Sequence, residues 1–169
     1  MSGFGTSVRW FPANGANKTM EISLEEKVRA RIAALQTLAP GSIGAQMDYQ
    51  LLDYEEDAQE FTMTCHTFDW MRNGFGALHG GMCATVVDQA MGFVAHCCKM
   101  DDGTAPTVQL SVDYHRPLVP GEDVLVKVKV ISVSRNLMRF TAEAYRVSEP
   151  GKLCLTGSSI FFNKPAKKP

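Results

Sequence analysis

Asn73, His79, Gly80, Gly81 and Asp88 are the residues of this 169-residue chain whose types and spacing suggest chemistry. They lie in one run, Trp70-Met71-Arg72-Asn73-Gly74-Phe75-Gly76-Ala77-Leu78-His79-Gly80-Gly81, which continues into Met82-Cys83-Ala84-Thr85-Val86-Val87-Asp88. The run supplies an amide side chain, two small-residue turns, a His-Gly-Gly helix start and a carboxylate on that helix. A helix N-terminus offers unpaired backbone N–H groups and the positive end of the helix dipole. Glycines at that point have no Cβ, so a substrate oxygen can come close to the amides of Gly80 and Gly81. The chemistry implied is an oxyanion site, with Asp88 as the base that accompanies it.

Spacing limits how these groups can cooperate. Gly80 and Asp88 are eight residues apart on one helix, about 12 Å at 1.5 Å per residue. Reacting atoms must lie roughly 3–3.5 Å apart, so the two groups of one chain cannot flank the same carbonyl. Either one of them is not catalytic, or the site joins two chains whose helices lie side by side in opposite directions. Each residue also has a plainer reading. Asp88 suits the solvated arc of an amphipathic helix, His79 a capping loop histidine, and Asn73 an Asn before Gly in a turn.

The elements that must position these residues follow from pattern. Ser23-Leu24-Glu25-Glu26 is a capping box and starts a helix that carries Val28, Ile32 and Leu35 at helical spacing and ends at Pro40-Gly41. Gln46 to Tyr54 and Glu60 to His66 read as strands joined by the polar turn Glu55-Glu56-Asp57, and a loop runs from Thr67 to Ala77. Leu78 to Lys99 is a helix. Met82, Val86, Phe93, Val94, Cys97 and Cys98 share its apolar arc; Thr85, Asp88, Gln89, Gly92, His96 and Lys99 share its polar arc. Strands follow at Thr107 to Tyr114, Val124 to Val130, Leu137 to Val147 and Leu153 to Asn163, with turns at Pro120-Gly121, Ser134-Arg135-Asn136 and Glu149 to Lys152. One helix, two strands, a long helix and an antiparallel meander make an α+β domain.

Composition bounds the rest. The length suits one domain, with 45% hydrophobic residues and 21% charged. A net charge of −1 carries no electrostatic footprint for nucleic acid or an anionic membrane. No stretch is long and apolar enough to span a membrane. Met1 to Met20 lacks the charged-then-apolar order of a signal peptide. Its Gly and Asn content reads as a flexible N-terminal extension over 1–20, in which Trp10 and Phe11 are the residues able to dock. Residues 165–169 read as a tail. Cys65, Cys83, Cys97, Cys98 and Cys154 are odd in number and form no C-x-x-C pair, which implies reduced thiols, small buried apolar residues and a cytoplasmic protein. No P-loop, dinucleotide fingerprint or metal-ligand cluster occurs.

The run Asn73, Gly76, His79, Gly80, Gly81 and Asp88 resembles the hotdog-fold acyl-CoA thioesterases, in particular the PaaI-like (phenylacetic acid degradation-related) branch. The likeness extends more loosely from Gln46 to Asn163. It implies a hotdog fold: an antiparallel sheet of five or six strands wrapped around a long central helix, here with an extra N-terminal helix, as one domain over 21–164. It implies hydrolysis of an acyl-CoA, aryl or medium- to long-chain, to a free acid and CoA. Gly80 N–H and Asn73 would then hold the oxyanion. Asp88 would act as general base or nucleophile, with Thr107 assisting it and His79 polarising the substrate or holding the loop. Gly81 would contact substrate, as would Tyr114, His115, Arg116 and Pro117 and the turn Ser134, Arg135 and Asn136 along the pantetheine and nucleotide arm. Met82, Val86 and Phe75 would shape the acyl pocket. The resemblance also implies a homodimer with shared sites, with a homotetramer of two dimers left open, and no metal or redox cofactor. Two other readings stand beside it: a non-catalytic acyl-CoA-binding or regulatory protein, and a hotdog enoyl-thioester hydratase or dehydratase.

Overall fold

The computed structural model describes residues 22–99 and 103–165. The N-terminal extension with Trp10 and Phe11, and the tail beyond Pro165, lie outside the described residues. Helix α1 spans Leu24–Leu38, a short helix α2 spans Ile43–Gln46, and the long helix α3 spans Gly80–Cys98. The strands are β1 (Gln50–Glu55), β2 (Glu60–His66), β3 (Thr107–Tyr114), β4 (Asp123–Val133), β5 (Leu137–Arg146) and β6 (Leu153–Phe162).

The capping box forms as the sequence dictates: Glu26 N–H donates to Ser23 Oγ at 3.1 Å, and Ser23 N–H donates to Glu26 Oε2 at 2.8 Å. One expected boundary moves. The strand expected from Gln46 begins at Gln50, because Ser42 caps α2 through its hydroxyl and the chain turns through Met47 before extending. Asp48 takes a positive φ of 45° in that turn.

All six strands form one antiparallel sheet in the order β1-β2-β4-β5-β6-β3. The meander β4-β5-β6 is therefore flanked by β2 on one side and by β3 on the other, and β3, which precedes the meander in sequence, folds back against β6 at the edge. Helix α3 lies against the sheet and buries Val86, Val87, Ala90, Met91, Phe93 and Val94. Gly157 of β6 makes this close approach available, since a Cβ there would sit 3.2 Å from Val87 Cγ2. Phe140 and Phe161 meet edge to face in the core with ring centres 5.6 Å apart, and Tyr49 meets Phe93 likewise at 5.3 Å. Helix α1 packs on α3, and Val28 and Ile32 are buried beneath it. All five cysteines are free. Burial pushes the thiols of Cys65 and Cys98 up to about 12, and those of Cys83 and Cys97 to about 11, so all four are protonated packing groups.

Candidate active site

The loop before α3 is built by Asn73. Its Oδ1 accepts from the N–H groups of Phe75 at 2.9 Å and Ala77 at 3.2 Å, while its own N–H donates to the Ala77 carbonyl at 2.8 Å. Gly76 takes a φ of +86°, which completes the turn. The Asn73 side-chain oxygen is thus committed to the loop. Its Nδ2 has no partner among the described residues, and it remains as a donor.

His79 is the N-cap of α3. Its Nδ1 accepts from Gly81 N–H at 3.0 Å, so in the neutral ring the proton sits on Nε2. Gly81 N–H is therefore spent on the cap. Gly80 N–H is not: it points out of the first turn with no partner among the described residues. Tyr114, at the far end of β3, donates its hydroxyl to the Gly80 carbonyl at 2.9 Å and pins this end of α3 to the strand.

Two turns further along α3, Thr107 at the near end of β3 donates its hydroxyl to Asp88 Oδ1 at 2.9 Å. Helix α3 and strand β3 therefore run antiparallel, bridged at both ends by a side-chain hydrogen bond. The structure brings Asp88 to Thr107, and Gly80, Gly81, His79 and Asn73 to Tyr114. Within one chain it does not bring these two groups together.

The residues expected along the nucleotide arm divide in the same way. His115 Nε2 lies 2.9 Å from Thr156 Oγ1, Arg116 Nη1 donates to the Leu153 carbonyl at 2.9 Å, and Pro117 follows, all exposed beside Tyr114. Ser134 donates to the Leu137 carbonyl at 2.7 Å, and the carbonyls of Arg135 and Asn136 accept from Asn163 at 3.2 and 2.8 Å. The Ser134–Asn136 turn joins strands whose partners lead to Phe161 and Phe162, at the Thr107 end of β3. The two sets stand at opposite ends of β3, about 24 Å apart at 3.4 Å per residue.

A cleft of about 260 Å³ opens beside Asp88. It is lined by Asp88, Gln89, Gly92, Phe93 and His96 of α3, by Arg31 and Leu35 of α1, by Ala105, Pro106 and Thr107, and by Phe161 of β6. Met82, Val86 and Phe75, expected to shape the acyl pocket, do not line this cleft. Val86 is fully buried in the core, Phe75 is 99% exposed, and Met82 lies half-buried away from this cleft. Sequence reasoning missed Arg31, Leu35 and Phe161 because helix α1 and the end of β6 lie far along the chain from the motif. Gln89, Gly92 and His96 were legible as the polar arc that they share with Asp88. Gly44 of α2 crosses close to this arc, where a Cβ would stand 2.6 Å from Gln89 Oε1.

His96 Nδ1 lies 2.9 Å from the Gly92 carbonyl oxygen. A carbonyl can only accept, so Nδ1 carries the proton and Nε2 of the neutral ring bears a lone pair. Burial holds the His96 pKa below its ordinary value, against the Gly92 hydrogen bond, and the nearby charges of Arg31 and Lys99 add to the lowering. Burial likewise raises the Tyr114 hydroxyl, which keeps it protonated as a donor.

Comparison with known proteins places the fold and the sequence of the central region beside known thioesterases. Residues 75–152, from the loop through the β5–β6 turn, match the model of the Thioesterase superfamily. Acyl-coenzyme A thioesterase 13 of Homo sapiens is 31% identical over 85 residues, which are 50% of this chain and 59% of that protein. The chain thus spans less than two thirds of the length of the curated relatives it matches. The Escherichia coli PaaI protein from the phenylacetic acid degradation operon superposes with a TM-score of 0.69 at 15% identity, over 86% of this chain and 99% of that one. Thioesterase superfamily member 2 of Mus musculus superposes with a TM-score of 0.65 at 17% identity, over 83% of this chain and 98% of that one. A Streptococcus mutans protein bound to acetyl CoA gives 0.58 at 19%, over 72% and 91%. The fold is the hotdog fold, and residues 75–152 are similar to the thioesterase superfamily.

Proposed function

We propose that this protein hydrolyses acyl-CoA thioesters, in sites that two copies of the chain build together. The observation that carries the reading is the hydrogen bond from Thr107 to Asp88 in the cleft, set two helical turns from the open N–H of Gly80. One location supplies a held carboxylate, the other supplies donors. Thioester hydrolysis needs both on opposite sides of one carbonyl.

Strand β3 suggests how they meet. It is an edge strand, paired with β6 alone among the described residues, and Val108 and Tyr114 on it are more than half exposed. Open edges recruit another strand. An antiparallel β3–β3 pairing about a twofold axis lays the Thr107 end of one strand beside the Tyr114 end of the other. Because each end carries its part of α3, Asp88 of one chain then approaches Gly80 and Asn73 of its partner, and two equivalent sites form. The same pairing brings the Ser134–Asn136 turn of one chain towards Tyr114 to Pro117 of the other, where Arg116 and Arg135 are suited to the phosphates of CoA.

In such a site the thioester oxygen sits against Gly80 N–H and Asn73 Nδ2. Asp88, oriented by Thr107, takes a proton from water as it attacks the carbonyl. The oxyanion collapses, the C–S bond breaks, and CoA leaves as thiolate to be protonated. Direct attack by Asp88 to give an anhydride, which water then opens, uses the same groups. Solvent oxygen-18 entering the Asp88 carboxylate in a single turnover separates the second route from the first.

Complementation tests the shared site. Gly80→Pro deletes the N–H donor at the first helical position, where proline is tolerated, and His79 before it is already extended at φ −61°, ψ 138°. Asp88→Asn deletes the base. Refolded together in equal amounts, the two inactive variants give half heterodimers with one intact site of two, so about a quarter of wild-type activity returns. No recovery from the mixture would mean that each site is completed within one chain. Absence of CoA release by wild type from any thioester would favour the acyl-CoA-binding reading, and hydration of an enoyl-CoA the hydratase reading.

A further inference from the structure

We propose that Arg31 and His96 make this cleft selective for acyl groups that end in a carboxylate, so that the preferred substrates are ω-carboxyacyl-CoA thioesters. The inference rests on the reading above, in which the thioester carbonyl lies at Asp88.

The cleft has two chemical parts. Leu35, Phe93, Ala105 and Phe161 give it apolar walls that suit methylene groups. His96 stands eight residues beyond Asp88 on the same face of α3, about 12 Å along the helix. Arg31 reaches the same cleft from α1, close enough to His96 for its charge to oppose protonation of the ring. Arg31 has no ion pair or hydrogen bond among the described residues, although it is the residue of α1 that lines the cleft together with Leu35. Arg31 is exposed at the mouth of this cleft, so a purely hydrocarbon tail leaves its guanidinium to water and the Nε2 lone pair of His96 unused.

A carboxylate answers both groups. It pairs with the planar guanidinium through two parallel N–H···O bonds. Its negative charge also reverses the local effect on His96, favouring a proton on Nε2 that donates to the second oxygen. A hydroxyl would satisfy the neutral His96 lone pair but leave the Arg31 charge uncompensated. A diacid chain of roughly six to eight carbons reaches about 6–9 Å when extended, and the side chains of Asp88, His96 and Arg31 cover the rest of the roughly 12 Å between the two helix positions. The CoA phosphates lie outside the proposal, because a nucleotide does not fit a cleft of about 260 Å³ already holding an acyl chain.

The test compares thioesters matched in length and differing only at the tail: adipyl-CoA against hexanoyl-CoA, and suberyl-CoA against octanoyl-CoA. Wild type, Arg31→Met and His96→Gln are assayed for kcat/KM, and binding of the same four compounds to Asp88→Asn and to Asp88→Asn/Arg31→Met is measured by calorimetry. The expected result is a preference of about 5- to 10-fold for the carboxylate member, the scale of an ion pair with a solvent-exposed guanidinium, which falls in Arg31→Met by a larger factor than any change in the neutral member. His96→Gln reduces the preference by a smaller factor. Wild-type preference for the neutral member overturns the proposal, as does an Arg31→Met loss shared equally by all four compounds, which would place the guanidinium on CoA. A preference for ω-hydroxyacyl over ω-carboxyacyl thioesters also overturns it. If no thioester is hydrolysed, the hydrolase reading fails, and the calorimetric comparison still decides the selectivity.

Discussion

The two ends of the first half of α3 are built to opposite ends. At Gly80 the polar groups of the loop are consumed locally: Asn73 Oδ1 by two backbone amides, Gly81 N–H by His79, and the Gly80 carbonyl by Tyr114. Among the described residues, the side-chain and helix-start groups left without a partner there are donors: Gly80 N–H, Asn73 Nδ2 and the Nε2–H of His79. Around them stand exposed apolar side chains, with Trp70 at 61% and Phe75 at 99%. At Asp88 the open group is an acceptor, a carboxylate held by Thr107 and walled in by α1 and β6. The difference teaches that the chain carries two complementary half-sites. An oxyanion needs donors fixed before charge develops, and a base needs a lone pair aimed at water. The fold preassembles each and keeps them apart on one rigid helix.

Breaking the acceptor half should have the largest effect. Asp88→Asn keeps the size and the Thr107 contact but removes the base, and kcat should fall by about 10²–10⁴ with KM little changed. Release of CoA thiol, followed alongside the thermal unfolding curve, checks it. Retention of wild-type kcat in a folded protein would return Asp88 to the solvated arc of an ordinary amphipathic helix.

Breaking the donor half should cost less. Gly80→Pro removes one N–H and leaves the carbonyl that Tyr114 binds, so kcat should fall by about 10²–10³. The midpoint of urea unfolding should barely move, because the helix start already has the φ that proline imposes. A large loss of stability would show that Gly80 serves the fold before it serves a substrate. Thr107→Val tests how far the carboxylate depends on being held. A hydrogen bond to a charged group is worth about 1.5–3 kcal/mol, which translates into about a 10- to 100-fold drop in kcat/KM, still short of the loss on removing Asp88 itself.

Much of this contrast was legible in the chain. The capping box fixed the start of α1, the His-Gly-Gly run fixed the start of α3, and strict alternation fixed β3 from Thr107 to Tyr114, because each is a local pattern with a local cause. The 12 Å between Gly80 and Asp88 followed from helical rise alone. Three things were not legible. Helix α2 interrupts what reads as strand, since a four-residue helix is too short to show a period. The place of β3 at the sheet edge is a matter of topology, and its apolar residues predicted burial where Val108 is exposed. The cleft is the third: it depends on where α1 crosses α3, which joins Arg31 to His96 across a separation no local pattern encodes.

The smallest expected effect concerns the cleft end, through His96. Burial depresses its folded pKa below the ordinary 6.5, so at acid pH the unfolded chain binds a proton that the folded chain resists. The sign follows: the contribution of neutral His96 is fully present above about pH 6.5 and is lost as pH falls through that value towards the lowered folded pKa. Urea unfolding at about pH 7.5 and about pH 5 should therefore show a larger loss of stability in wild type than in His96→Gln, which can keep a donor near the Gly92 carbonyl but does not titrate. Carboxylates elsewhere affect both proteins alike, so the difference between the two losses isolates this ring. Equal losses would mean that water reaches His96 freely and that the Asp88 half of the helix is as open as the Gly80 half, which would remove the contrast between them. A difference that shrinks when a ligand carrying a carboxylate occupies the cleft would sharpen it, since the added negative charge restores the affinity of the folded ring for its proton.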